Sequence, residues 1–268
     1  MVRKSNVLAV MSPKGGVGKT VTTANLAAAL ASQFNKKILA IDTNVSTASL
    51  GLHLNMFYPK TSINDISNKK KFSVEEIIYP YSENLHIIPA SIKIKKKDRN
   101  LNKMRENVQK IINNYDKLLK DVSKKYDLIL LDCAPGFDIE AIATMHVAGG
   151  LLLVTNPEYP AIVTAVKAIE YAKSLKMPVG GIVLNKVNNK KYEITKEEIE
   201  DALRVNVIGK IPFDKKMSQS ISESIPLVLF RPRSKASKAY KKLAAKLSGE
   251  KEDKRFWSKF KKTLKFGK

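Results

Sequence analysis

Cysteine is almost absent from this sequence of 268 residues, and Cys133 carries its only thiol. A single cysteine cannot form an internal disulfide or supply a cysteine-rich metal cluster, which argues against a disulfide scaffold and a structural zinc site. The three histidines, His53, His86 and His146, are widely spaced and are expected to be core or surface residues rather than metal ligands. The sequence therefore gives no indication of redox or zinc chemistry.

Long apolar runs are also missing. The chain enters a strand-like run near its start without the apolar stretch of a signal peptide, and no window is long enough to span a bilayer. We therefore expect a cytoplasmic protein.

Acidic residues are scarce relative to basic ones: 25 Asp and Glu stand against 48 Lys and Arg, which gives a formal net charge of +23. Such an excess favours contact with polyanions, either nucleic acid or an anionic membrane surface, and the charge alone does not choose between them. Compositional bias is an alternative source of part of the excess, since Lys, Asn and Ile are all frequent.

Short apolar runs alternate with segments of helical periodicity along the chain. The predicted strands are Val7 to Met11, Ile38 to Ile41, Leu85 to Ile88, Leu128 to Leu131, Leu151 to Thr155 and Val179 to Leu184. The predicted helices are Lys19 to Phe34, Asn100 to Lys124, Pro160 to Leu175, Lys196 to Arg204 and Ser234 to Leu247. This alternation predicts an α/β fold with a doubly wound, mostly parallel sheet and helices on both faces. Ligands of such sheets bind at the carboxyl ends of the strands.

A glycine-rich segment from Met11 to Thr20 follows the first predicted strand and opens an alanine-rich helix. Glycines allow the backbone to curl so that its N–H groups and the helix N-terminus bind phosphate oxygens. In such a loop Lys19 would reach the β- and γ-phosphates, and the Thr20 hydroxyl would bind Mg²⁺. The strict P-loop pattern requires glycine where Pro13 stands, so the plain pattern is not met.

The segment from Lys14 to Thr20 instead resembles the deviant Walker A motif of the MinD/ParA family, and within it the MinD-like proteins. This resemblance extends from about Ser5 to Leu247 and implies a P-loop NTPase fold, ATP and Mg²⁺ as cofactors, and a homodimer formed with ATP. In that family the extra lysine contacts the ATP of the partner subunit, which is the role implied for Lys14. The implied cofactor-binding residues are Lys14, Gly15, Gly16, Val17, Gly18, Lys19, Thr20, Val21, Asn185, Pro212, Phe213 and Asp214.

Other parts of the implied site follow later strands. Asp132 ends an apolar strand that resembles the Walker B strand of the family, and its carboxylate would hold Mg²⁺ through water. Asn185 follows another strand, and its amide can pair with adenine, while Ile211 to Asp214 resembles the segment that closes over the base. Asn156 to Glu158 resembles the MinD-type sequence or forms a simple turn. The implied metal-binding residues are Thr20, Asp42 and Asp132.

The catalytic position departs from the family pattern. After the second strand the family usually has Asp-x-Asp, and here the residues are Asp42, Thr43 and Asn44. An asparagine can orient the attacking water but cannot accept its proton, so slow hydrolysis is expected, with complete loss of hydrolysis as the alternative. The catalytic residues implied are Lys14, Lys19, Asp42 and Asn44. Relatives with an iron–sulfur cluster need paired cysteines, which one cysteine does not supply.

Three segments are predicted: an ATPase domain over residues 1–248, a linker over 249–253 and a cationic tail over 254–268. The tail has seven cations and no acid, and its apolar side chains fall within an arc of roughly 100° on a helical wheel. The proposed membrane contacts are Phe256, Trp257, Phe260 and Leu264. Such a pattern is typical of an interfacial helix and resembles the membrane-targeting helix of MinD proteins. A disordered basic tail and a helix docked on the domain are the alternatives.

Basic residues are also concentrated in the domain itself. The range Arg231 to Lys246 has seven cations and no acid, and Ser91 to Arg105 has seven cations against Asp98. ParA proteins bind non-specific DNA through basic residues near their carboxyl end. The sequence therefore predicts a MinD-like ATPase on the inner face of the cell membrane, with a DNA-binding partition ATPase as the main alternative and an ATP-dependent scaffold as a third. The activator or cargo protein is unidentified.

Overall fold

The computed structural model describes residues 4–66, 73–91 and 108–249. Its strands form one eight-stranded sheet in the order β3-β4-β2-β5-β1-β6-β7-β8. The strands are β1 (Val7–Met11), β2 (Ile38–Asp42), β3 (Tyr79–Ser82), β4 (Leu85–Ile88), β5 (Leu128–Asp132), β6 (Gly150–Thr155), β7 (Val179–Val187) and β8 (Val207–Pro212). Every neighbouring pair is parallel except β3 with β4. The predicted doubly wound, mostly parallel fold is confirmed.

Helices cover both faces of this sheet. They are α1 (Lys19–Phe34), α2 (Val108–Val122), α3 (Ile139–Val147), α4 (Tyr159–Ser174), α5 (Lys196–Leu203), α6 (Lys216–Ser222), α7 (Leu227–Phe230) and α8 (Lys235–Ser248). Short 3₁₀ helices occupy Leu52–Leu54, Ile63–Asp65 and Val74–Ile77. Helices α2 to α5 pack on one face, and α1, α7 and α8 pack on the other. Because both faces are covered, the residues of β1 and β5 are buried throughout.

All six predicted strands are present, with small shifts of their ends. The two edge strands, β3 and β8, were missed because β3 is short and contains Pro80, which is tolerated at an edge, and β8 includes Gly209. Helices α3, α6 and α7 were also missed, since with nine, seven and four residues they are too short to show an extended helical period.

Two predictions fall partly or wholly outside the described residues. The helix predicted from Asn100 is helical over Val108–Val122, and residues 100–107 lie outside the described ranges, as do all of 254–268 and most of the 91–105 basic segment. Within the described part of the chain, no helix combines the length and the apolar character that a membrane crossing requires.

Three neighbouring central strands position the site. Strands β2, β5 and β1 are adjacent and parallel, so their carboxyl ends lie at one edge of the sheet. Asp42 and Asp132, the last residues of β2 and β5, are partners in the strand register. The segment after β1 is the glycine-rich loop. The topology therefore brings together three motifs, at residues 14–20, 42 and 132, that are far apart in sequence.

Candidate functional site

The glycine-rich loop curls between β1 and α1 because two of its glycines adopt left-handed backbone conformations. Gly16 has φ +74° and Gly18, the residue before α1, has φ +95°. A Cβ atom at Gly18 would lie 2.2 Å from Nδ2 of Asn185, so a side chain does not fit there. No side chain caps the N-terminus of α1. The loop and the positive end of the helix dipole thus form an anion-binding site of the kind that accepts phosphate.

Lys19 and Thr20 begin α1 beside Asp132. Lys19 is 7% exposed, and burial lowers the pKa of its ammonium group whereas the charge of Asp132 raises it. The Thr20 hydroxyl donates to Asp132 Oδ2 over 2.7 Å, and the Thr23 hydroxyl donates to Oδ1 over 3.2 Å. The ammonium, hydroxyl and carboxylate groups predicted from the motifs therefore lie together. Val21, the next predicted residue, is half-buried in the first turn of α1.

Asp42 and Asp132 are both fully buried carboxyl groups, and each disfavours ionisation of its neighbour. Burial and the charge of Asp132 raise the pKa of Asp42 to about 8. Burial likewise raises the pKa of Asp132 to about 6. Asp42 is held in place because its Oδ2 accepts from the amides of Ser49 and Leu50, each over 2.9 Å.

Two buried carboxylates and a hydroxyl are hard oxygen donors, and a divalent cation between them would offset their mutual repulsion. Thr20, Asp42 and Asp132 therefore fit Mg²⁺, which binds with one or two carboxylates, water and nucleotide phosphates. In the described ranges no group of three or more His, Cys, Asp or Glu could hold a metal.

Asn44 lies on the loop that leaves β2 and is 6% exposed. Its Oδ1 accepts from the Thr47 hydroxyl over 2.9 Å and from the Thr47 amide over 3.3 Å. In this conformation its carbonyl oxygen caps a turn of its own loop, and its role toward an attacking water stays a prediction.

Asn185 lies at the end of β7 and contacts the phosphate loop directly. Its Nδ2 donates to the carbonyl oxygen of Val17 over 2.7 Å, and Lys186 Nζ donates to that of Gly16 over 2.8 Å. Two consecutive residues therefore support the backbone of the loop from the side opposite Asp132. Pairing of Asn185 with adenine stays a prediction.

The residues predicted to close over the base span the end of β8 and the turn after it. Pro212 ends this strand, Phe213 is half exposed, and the Phe213 amide donates to Val187 O over 2.9 Å. Asp214 accepts from the amide of Lys216 over 3.0 Å. The segment is thus tied to β7, the strand that carries Asn185.

Lys14 lies at the open side of the loop and forms a salt bridge with Glu158, Nζ to Oε2, over 2.8 Å. Glu158 precedes α4, so the Asn156 to Glu158 segment adjoins the phosphate loop. Asn156 Oδ1 is buried and, among the described residues, has no hydrogen-bond partner. Cys133 is buried as expected.

Some contributors to this site were not predicted. Ser49 Oγ lies 3.2 Å from the Thr20 hydroxyl, and the Ser49 amide binds Asp42. Thr23 and Lys186 were also missed. Thr23 could have been found from helical spacing, because residues three apart share a helix face, whereas Ser49 lies in a loop with no periodic signal.

A central parallel strand that leads through a glycine loop into a helix, beside strand-end aspartates, defines a P-loop nucleotide-binding protein. A sequence model described as an AAA domain matches residues 5–179. An uncharacterized ATP-binding protein of Methanocaldococcus jannaschii, MJ0547, is 33% identical over 244 residues, which cover 91% of this chain and 88% of that protein.

Two solved structures have the same fold. The cell division ATPase MinD of Pyrococcus furiosus superposes with a TM-score of 0.78 at 30% identity. The match covers 91% of this chain and 97% of the MinD chain. The septum site-determining protein MinD of Pyrococcus horikoshii, solved with Mg-ADP, has a TM-score of 0.79 at 29% identity. The match covers 92% of this chain and 96% of that protein's chain. The chain belongs to the MinD/ParA family of P-loop ATPases.

Proposed function

We propose that this protein binds Mg-ATP, dimerises with ATP, hydrolyses it slowly and attaches reversibly to the inner face of the cell membrane, where it positions cellular machinery. One observation carries the nucleotide part of this proposal. At the N-terminus of α1 the Thr20 hydroxyl donates to Asp132, and the Lys19 ammonium group is close enough to Asp132 for the carboxylate charge to oppose the lowering of the lysine's pKa by burial. Phosphate would lie on the loop amides and Lys19, with Mg²⁺ held by the hydroxyl and the carboxylates. A Pyrococcus horikoshii relative has been solved with Mg-ADP, which supports this cofactor pair.

Dimerisation is proposed from Lys14. Its ammonium group is partly exposed and is held by one surface carboxylate, Glu158. A surface salt bridge contributes about 0–1 kcal/mol, so exchange of Glu158 for the phosphates of a second subunit's ATP costs little. Dimerisation would then complete each site with a cation from the other subunit.

Membrane attachment is proposed from the sequence of the tail, residues 254–268, which lie outside the described residues. Complete burial of Phe256, Trp257, Phe260 and Leu264 would contribute roughly 1.5–3 kcal/mol each, and each nearby lysine about 1 kcal/mol on an anionic surface. Ordering of a short helix offsets part of this gain. Two tails on one ATP dimer would increase avidity by about 10² to 10⁴, which links nucleotide state to membrane binding.

Binding of non-specific DNA is the second candidate, and the exposed cations at the carboxyl end of the domain favour it. Arg231 and Arg233 precede α8, and Lys235, Lys238 and Lys242 are exposed on that helix. Phosphate contacts of this kind give sequence-independent affinity that falls steeply with salt concentration.

Co-sedimentation with anionic liposomes and binding to random-sequence duplex DNA, each with ATP and with ADP at several salt concentrations, distinguish the two candidates. Truncation after Gly249 and Phe260→Glu should abolish liposome binding and preserve ATP-dependent dimers. Phe266→Glu, off the apolar arc, is the matched control. The triple variant Lys235→Glu, Lys238→Glu, Lys242→Glu should affect DNA binding alone. Equal liposome binding with ADP, or binding by the truncated protein, would contradict the membrane proposal.

A further inference from the structure

The loop after β2, residues 43–50, adjoins the start of α1, where Ser49 Oγ lies 3.2 Å from the Thr20 hydroxyl. Its far end is fixed, because the amides of Ser49 and Leu50 donate to Asp42 Oδ2. Its near end is fixed as well, because the Thr43 hydroxyl donates to the carbonyl oxygen of Asp132 over 2.8 Å. Asn44 lies between these two ends, and the position of its side chain depends on what holds the middle of the loop.

Glu140 holds that middle from outside the loop. Its Oε1 accepts from the Ser46 hydroxyl over 2.8 Å, and its Oε2 accepts from the Ser46 amide over 3.3 Å. A single ionised group thus accepts from both the side chain and the backbone of the loop, and hydrogen bonds to an ionised acceptor are the stronger kind.

The location of Glu140 connects this contact to the metal site. Glu140 is in the first turn of α3, where a negative charge is favoured by the helix dipole. Helix α3 follows β5 after a short connection, and β5 ends at Asp132. Asn44 is therefore held relative to Asp132 along two routes, one through Thr43 and one through Glu140 and Ser46.

We propose that Glu140 is a positioning residue for ATP hydrolysis: it fixes the middle of the 43–50 loop and so places Asn44 relative to the γ-phosphate. This inference rests on the proposed ATPase activity and adds to it a residue that the Walker-type motifs do not include. A displacement of about 1 Å in a catalytic group can lower a rate by about 10². Because Glu140 holds the loop that carries Asn44, its removal is expected to lower the hydrolysis rate more than the nucleotide affinity.

The test uses full-length protein with Glu140→Ala, Glu140→Gln, Ser46→Ala and the double variant Glu140→Ala with Ser46→Ala. Glu197→Ala is the matched control, because Glu197 is an exposed acid in the first turn of another helix, α5. Single-turnover hydrolysis, ATP affinity by titration calorimetry, melting temperature and hydrogen exchange of residues 43–50 with bound ATP are measured for each variant.

We expect Glu140→Ala to lower the single-turnover rate at least about tenfold, with ATP affinity changed less than about twofold and faster exchange over 43–50. Glu140→Gln, which retains one acceptor oxygen, should restore part of the rate. Ser46→Ala should lower the rate less, and its effect should largely disappear in the Glu140→Ala background, because coupled residues are not additive.

An unchanged rate in both Glu140→Ala and Ser46→Ala would overturn the proposal. A parallel loss of rate, affinity and melting temperature would show a structural role and would overturn it too. If Glu140→Ala does not fold, Glu140→Gln and Ser46→Ala decide by the same criteria. If the wild-type protein binds ATP without hydrolysing it, the proposed ATPase activity is wrong whatever Glu140 does. Hydrogen exchange of residues 43–50 then decides whether Glu140 anchors the loop.

Discussion

Lys14 Nζ lies 2.8 Å from Glu158 Oε2, and the two side chains are 38% and 51% exposed. Lys14, for which we propose a contact with the ATP of a partner subunit, thus forms a salt bridge within its own chain. Both groups remain accessible to water, so this contact neither buries a charge nor fixes the fold.

Lys14→Ala is therefore expected to change the free energy of unfolding by less than about 1 kcal/mol and to leave ATP affinity nearly unchanged, while ATP-dependent dimerisation and hydrolysis are lost. Light scattering with ATP and with ADP measures dimerisation, and calorimetry measures ATP affinity. Lys191→Ala, at another exposed lysine, is the control. Normal dimers in Lys14→Ala would contradict the role assigned to this lysine.

Lys19→Ala should instead weaken ATP binding itself, because Lys19 is buried beside Asp132 at the start of α1. Loss of a charge-assisted hydrogen bond costs about 1.5–3 kcal/mol, which weakens Mg-ATP binding roughly 10- to 150-fold. Titration calorimetry at constant Mg²⁺ provides the measurement. An unchanged ATP affinity would overturn the site assignment.

Gly18→Ala should disrupt the loop for two independent reasons. Gly18 has φ +95°, which an alanine adopts only with strain, and the new Cβ would lie 2.2 Å from Asn185 Nδ2. We expect a loss of roughly 1–3 kcal/mol in stability together with weaker ATP binding. The double variant with Asn185→Ala removes the clash and leaves the backbone strain, so urea unfolding of both variants separates the two causes. A fully stable Gly18→Ala protein would contradict this account.

The fold was predictable because its central strands are uninterrupted apolar runs separated by helical periods. Strand β1 and helix α1 have the predicted bounds, Val7–Met11 and Lys19–Phe34. Edge strand β3 was missed because its burial alternates and it contains Pro80, so its sequence has no apolar run. Local patterns predict elements that are covered on both faces better than elements at the margins of the sheet.

The site was predictable to the extent that motifs mark it. Thr20 of the glycine-rich loop contacts Asp132, as the resemblance of these two segments to Walker A and Walker B motifs implied. The contact between Ser46 and Glu140 was missed, because it joins a loop to a helix that are 94 positions apart in sequence. Such a contact depends on tertiary packing, and no local pattern encodes it.

The paired aspartates predict a pH-dependent stability of the nucleotide-free protein. An aspartate ionises near 3.8 without perturbation, whereas burial and Asp132 raise the pKa of Asp42 to about 8. Between about pH 4 and 8 the folded state therefore binds more protons than the unfolded state, so the free energy of unfolding falls as pH rises. The slope contributed is at most about 1.4 kcal/mol per pH unit for each proton.

Urea unfolding in EDTA from pH 5 to 8 measures this slope. Asp42→Asn should be less sensitive to pH than the wild-type protein, because it removes one of the two carboxyls and the repulsion on the other. Bound Mg-ADP should reverse the trend, since Mg²⁺ requires ionised carboxylates. Identical slopes for the wild-type and Asp42→Asn proteins would exclude this pair as the cause.

Asn44→Asp should accelerate hydrolysis, because a carboxylate can accept a proton from the attacking water and an amide cannot. Asp would fit the site, since an oxygen at the Asn44 Oδ1 position could still accept from the Thr47 hydroxyl and amide. General base catalysis contributes typically 10²–10⁴, and we expect at least about a tenfold rise in the single-turnover rate. Asn44→Ala can neither orient the attacking water nor accept its proton, so it should hydrolyse ATP more slowly than the wild-type protein. A rate that stays flat or falls in Asn44→Asp would mean that another residue positions the water and that Asn44 serves only to cap its turn.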